Sequence, residues 1–134
     1  MPDYPDGMQL VQVAITVEGV VLQQTPQNNV AAGGIGSYAG VDETYQVVNQ
    51  WTVANGKLGE LKEISFTSTI FGKCLWKVEV GTKTFVEDLS LGAPLSLPFY
   101  DLQLAAGTVV TVFVKSTDGS SINANASIVA KEIG

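Results

Sequence analysis

Apolar residues recur at every second position in short segments, and each segment is bounded by Gly, Asn, Asp or Pro. A period of two marks a strand with one buried face, and no window carries the spacing of a capped amphipathic helix. The clearest case is KCLWKVEV, which sends Cys74, Trp76, Val78 and Val80 to one side and Lys77 and Glu79 to the other. GTK then turns this strand back into TFVEDLSL, predicting a hairpin. In MQLVQVAITVEG the inward set is Val11, Val13, Ile15 and Val17, with Gly19 as the break. YQVVNQWTVANGK places Val47, Trp51 and Val53 on one side ahead of an Asn55-Gly56 turn signal. ELKEISFTSTIFGK places Ile64, Phe66 and Ile70 on one face. LSLPFYDLQL changes apolar parity around Pro98, which has no N–H for a ladder and so predicts a bulge or an edge strand.

The last two segments, TVVTVFVKS and INANASIVAKE, are expected to pair around TDGSS. If Ser116 faces Ile122, then Val110, Val112 and Val114 oppose Ile128, Ala126 and Ala124 on the core face. The same register sets Val109 opposite Val129 and Phe113 opposite Asn125 on the other face, where a lone domain should be polar. An apolar cluster there predicts a subunit contact made by Val109, Phe113 and Val129. About eight strands at this spacing predict an all-β fold, an antiparallel two-sheet β-sandwich of jelly-roll type with an extended N-terminal segment. Residues 1–44 are read as an arm with one strand and a Gly-rich loop, and residues 45–134 as the sandwich, together one structural unit. The Pro, Gly, Asn and Gln content of residues 1–7 and 25–44 predicts mobility in an isolated subunit.

Composition narrows the chemistry. The chain has 134 residues, 46% of them hydrophobic, enough for one domain with a real core. There is no Arg and no His, and all seven cations are lysines at or after Lys57, against 13 acids. Clustered cations supply most of the affinity for nucleic acid, so no nucleic-acid partner is expected. No apolar run reaches eighteen residues, and MPDYPDG lacks the positive start and apolar stretch of a secretory signal, so no membrane partner is expected. Cys74 stands alone and shares parity with Trp76, which reads as an inert buried thiol.

Gly34, Gly36 and Ala39 match the G-x-G-x-x-A spacing of a dinucleotide loop. That loop needs a strand running straight into the first glycine, a junction that TPQNNVAA interrupts, and a helix opening on it, where Val41, Tyr45 and Val48 permit a helix but Tyr45, Val47, Trp51 and Val53 fit a strand as well. The glycines are read instead as a loop or extended arm. Without His, a Ser-His-Asp triad or a His-based metal site cannot form, and STDGSSINAN lacks the spaced acids of a calcium loop. No cofactor or metal is expected. Carboxylates that could form a glycosidase pair are Asp42, Glu43, Glu87, Asp88 and Asp101, read in first place as solvated charges. Trp51 and Trp76 share parity with aliphatic residues and read as core, leaving Tyr38, Tyr45, Phe99 and Tyr100 as the aromatics available to a sugar.

The layout WTVANGKLGELKEISFTST, CLWKVEVGTKTFVEDLSL, DLQLAAGTVVTVFVKSTDG and NANASIVAKEIG resembles, in strand rhythm and turn placement over about residues 45–134, small β-sandwich virion proteins of tailed bacteriophages. Head decoration (cement) proteins are the nearest type. The resemblance implies a non-enzymatic structural protein, homo-oligomeric on the capsid exterior after synthesis in the host cytoplasm, with major capsid protein or other virion subunits as partners. A carbohydrate-binding or adhesin module is the alternative, and a carboxylate-dependent glycosidase a third.

Overall fold

A computed structural model describes residues 29–134. The strand read within residues 8–19 and the mobility read for residues 1–7 and 25–28 lie outside the described residues. The elements are β1 (Asn29–Gly40), β2 (Gln46–Thr52), β3 (Leu58–Ser68), β4 (Cys74–Val80), β5 (Lys83–Leu89), β6 (Leu95–Leu104), β7 (Val109–Ser116) and β8 (Ile122–Ile133), with one 3-10 turn at Phe71–Lys73. They form two four-stranded antiparallel sheets, sheet I in the order β1-β8-β3-β6 and sheet II in the order β2-β7-β4-β5. The inward residues of both sheets make one hydrophobic core, in a sandwich-like arrangement.

Alternation explains the core strand by strand. β4 buries Cys74, Trp76, Val78 and Val80 as its pattern predicts. Sheet II adds Val110, Val112 and Val114, and sheet I adds Leu61, Ile64, Phe66, Ile122, Ala124, Ala126 and Ile128. β4 returns into β5 through a two-residue turn with Gly81 at φ 62, the positive value a tight hairpin asks of its first central residue.

Bulges redirect two strands. The β2–β7 register slips between Val47 and Asn49, so Val48 turns inward at 4% exposure while Val47 is left 49% exposed, opposite to the inward reading of Val47. A slip between Leu61 and Glu63 likewise lets Leu61 and Ile64 both reach the core. Ile70 is exposed because it lies beyond β3, in the turn that enters β4.

The expected β7–β8 hairpin does not form. β7 pairs with β2 and β4 in sheet II, and β8 with β1 and β3 in sheet I, so residues 117–121 carry the chain across the sandwich. Val110, Val112 and Val114 still face the core together with Ala124, Ala126 and Ile128, but from opposite sheets. The glycine-rich stretch read as a loop is β1, paired with β8 along its whole length from Asn29↔Ile133 to Gly40↔Ile122. Its glycines serve close approach: a Cβ on Gly36 would lie 2.2 Å from the Val48 carbonyl oxygen, and one on Gly33, at φ 88, 2.2 Å from that of Ile128. β2, a strand, is the element that follows.

Trp76 is fully buried, with its ring edge-on to Phe66 at 5.1 Å between centroids. Its Nε1–H has no hydrogen-bond partner among the described residues. We expect Trp76→Ala to lower unfolding free energy by about 3–5 kcal/mol, toward the lower figure because the unpartnered N–H leaves with the ring. Urea titration measures it, and a loss well below about 1 kcal/mol would contradict the core placement.

Candidate functional site

The three residues expected to form one contact are divided between the two outer faces. Val109 and Phe113 lie on the outer face of sheet II, where Val109 is opposite Thr52 and Phe113 lies between Val47 and Lys77. Val129 lies on the outer face of sheet I, between Gly33 and Glu63, and is 39% exposed. The single cluster depended on the β7–β8 hairpin, and it disappears with that pairing. Phe113 is also covered within its own chain. Tyr45 meets it edge-on at 6.3 Å and the Lys77 ammonium, itself paired with Glu79, stands 5.3 Å from its centroid, so an aromatic ring and a cation of the same chain already lie against it.

Tyr45 anchors a second group on that face. Its hydroxyl donates to the Asp88 carboxylate and accepts from the Asp88 backbone N–H at 2.8 Å. Asp88 sits at φ 51, a left-handed conformation held in place by these two bonds. Lys115 Nζ lies 3.5 Å from the same carboxylate and 4.5 Å from the Tyr45 centroid. Burial first, then the bond to Asp88, push the Tyr45 hydroxyl up to about 12, while the Tyr45 bond holds Asp88 below the usual carboxylate range. Asp88 is thus an engaged acceptor.

Of the other carboxylates singled out, Asp101 is bound by Lys62 Nζ at 2.6 Å, which lowers its pKa. Asp42 and Glu43 lie in the β1–β2 connection, where Asp42 accepts from Tyr38 at 3.2 Å. Glu87 is exposed on β5. Asp88 and Asp101 belong to different sheets. Among the described residues, no three His, Cys, Asp or Glu side chains are grouped to hold a metal ion. Cys74 is buried, its thiol 3.3 Å from the Ile70 carbonyl oxygen.

The two sides of the sandwich differ. On one, β1 and β2 are drawn together: the Asn49 side-chain amide donates to the carbonyls of Gly34 at 2.8 Å and Ala126 at 3.1 Å, tying sheet II to sheet I. On the other, the outer strands β5 and β6 leave an apolar cleft of about 510 Å³ lined by Phe85, Val86, Leu97, Pro98, Phe99 and Leu102, with Thr84 and Tyr100 at hand. Phe85 and Phe99 stack across it at 5.6 Å and 24° between planes. β6 bulges here: Leu61 is opposite Leu102 and Glu63 opposite Pro98, so the residues between them on β6 outnumber Lys62. Tyr100 and Asp101 take φ 52 and 58 in this bulge, and Tyr100 stands 87% exposed. Strain of this kind at an exposed aromatic points to a contact surface.

Pro98 therefore lies in a strand that is both bulged and an edge, and Phe99 and Tyr100 are available to a partner, whereas Tyr38 and Tyr45 are engaged at home. Sequence reasoning missed Phe85. A bulge at Phe85 breaks the parity of TFVEDL, and that bulge is what aims the ring at Phe99.

No model of a known protein family and no curated protein matches the chain.

The Tyr45–Asp88 pair has an alkaline signature. Because the folded-state pKa of Tyr45 is raised, the stability it contributes is complete below the ordinary tyrosine value of about 10 and is lost as pH rises through about 12. Denaturation across that range should show a decline that is reduced in Tyr45→Phe. An identical decline in both proteins would contradict the assignment.

Proposed function

We propose that the chain is a non-enzymatic jelly-roll subunit that decorates and stabilises a bacteriophage capsid from outside, through contacts with its own copies and with capsid protein. The connectivity supports the fold part of this reading. Strand pairs β1–β8, β2–β7, β3–β6 and β4–β5 are those of one long antiparallel ribbon, and the added pairs β3–β8 and β4–β7 are those made when such a ribbon is rolled into two sheets. Eight-stranded rolls of this type occur in viral capsid and lectin domains.

The observation that carries the functional part is the apolar cleft between β5 and β6, with stacked Phe85 and Phe99 and the projecting Tyr100. An exposed apolar groove with an aromatic beside it has the anatomy of a protein contact: the aromatic is the anchor and the groove the water-excluding surface. The acidic balance and the absence of Arg agree with an outward position, away from packaged nucleic acid. Stabilisation would act by mass action, since a ligand that binds only the assembled shell favours it.

A carbohydrate-binding module is the second reading, favoured by the exposure of Tyr100. It is weakened by the lining, where Thr84 and Tyr100 alone bring side-chain hydroxyls to an otherwise apolar surface.

Capsids depleted of the chain, then given it back, test the proposal. Depleted shells should open at a lower temperature and regain their stability on add-back, with quantitative mass spectrometry finding the chain in intact particles at a fixed ratio to capsid protein. Absence from particles would overturn the proposal. Glycan binding lost in a folded Tyr100→Ala protein would favour the second reading.

A further inference from the structure

We infer that the outer face of sheet I holds a binding site for a neutral sugar unit, apart from the β5–β6 cleft. Such a site goes beyond decoration of a shell and does not depend on it.

A depression of about 320 Å³ lies on that face, lined from β1, β8, β3 and β6. Register sets its floor. Ile35 is opposite Ser127, Ser127 opposite Ser65 and Ser65 opposite Ser96, a row that crosses all four strands. Asn125 opposite Thr67 makes a second row beside the first. Strands stand about 4.8 Å apart and alternate residues about 6.7 Å apart along each, so the two rows present hydroxyls and one amide on a regular grid. Apolar surface bounds this floor at both ends, with Ile35 of β1 80% exposed and Leu95 of β6 37% exposed.

The lining decides the class of ligand. Among the described residues, none of the side chains that line the depression is charged, and a carboxylate, phosphate or ammonium entering it would give up water for no counter-charge. Groups that donate and accept are dense instead. Ser65 Oγ lies 3.0 Å from Ser96 Oγ and 3.5 Å from the Glu63 carboxylate, so with Ser65 donating to Glu63 it accepts from Ser96, whose lone pairs remain for a ligand hydroxyl. Thr67 and Asn125 are exposed, and the Asn125 amide offers both a donor and an acceptor.

Each sugar hydroxyl donates and accepts, while the ring carries apolar C–H faces. A floor of hydroxyls and an amide between aliphatic ends matches both, in a volume of the size that small-ligand sites have. The β5–β6 cleft is the opposite case, since only Thr84 and Tyr100 bring side-chain hydroxyls to it. The two depressions therefore suit different occupants.

A glycan array that sets neutral oligosaccharides beside sialylated and uronic-acid counterparts tests the inference, followed by nuclear magnetic resonance titration of the full chain with the neutral members. Neutral members should bind, their acidic counterparts at least about tenfold more weakly, and amide shifts should concentrate in residues 65–67 and 125–127. Thr67→Val keeps the shape of the side chain without its hydroxyl, and Asn125→Ala removes the amide; each should weaken binding by about tenfold. Both positions are exposed, so thermal unfolding should find the variants as stable as the parent, and Tyr100→Ala should bind as the parent does. No shift with any neutral member at about 10 mM, a preference for acidic members, or affinity indifferent to both substitutions would overturn the inference, as would loss of binding in Tyr100→Ala alone. A chain that stabilised capsids and bound no sugar would sink this site and leave the decoration reading intact, while neutral-sugar binding by a chain absent from particles would do the reverse.

Discussion

Phe66 of β3 and Trp76 of β4 meet edge to face in the interior, each at 1% exposure or less, and their contact joins the two sheets. Sheets packed face to face stand about 10 Å apart, so rings this large are accommodated only where their neighbours are small. β8 supplies those neighbours, placing Ala124, Ala126 and Ala130 on its inward face, with Ala126 directly beside Phe66. Large residues on β3 and β4 against small ones on β8 fill the interior without strain, as close packing requires. The inward parity of β3, β4, β7 and β8 follows, and so does what remains for the outer faces.

The layers must also end somewhere, and they end in two different ways. At β1 and β2 the chain uses glycine and an amide: Gly36 lets the backbones approach, and Asn49 satisfies carbonyls of both β1 and β8. At β5 and β6 bulges and aromatics take that role: Phe99, packed against the core, stays partly in water, and Phe85, stacked on it, is 42% exposed. A core that leaves apolar surface uncovered on one side gains by covering it in association, at roughly 25 cal/mol for each Å² removed from water. The side that lacks an amide clasp is thus the side with apolar surface left to cover.

Much of the fold could be read in the sequence where one residue follows another in strict alternation. β4 and its hairpin partner were legible because their parity is unbroken over Cys74–Val80 and their turn is two residues long. Val47 was misread because a bulge changes parity without any change in composition. β7 and β8 were each recognised with the correct inward face, yet paired wrongly, because alternation tells which face is buried and is silent on which strand lies alongside. β1 reads as a loop or extended arm in the sequence since its glycines carry no side-chain pattern, although the missing side chains are what permit its packing. For the site, Pro98, half-buried Phe99 and exposed Tyr100 are legible from chain chemistry, whereas Phe85 is hidden by its bulge and the grouping of Val129 with Phe113 depends on the false pairing.

The central claim is that one side of the sandwich is closed within the chain while the other leaves apolar surface for a partner to cover. Amide hydrogen exchange of the chain, free and bound to capsid shells, tests it most directly. Amides of Lys83–Leu89 and Leu95–Leu104 should exchange more slowly on the shell, while those of Asn29–Gly40 and Gln46–Thr52 keep constant rates. Rates in β5 and β6 unchanged by the shell, or slowing confined to β1 and β2, would contradict it.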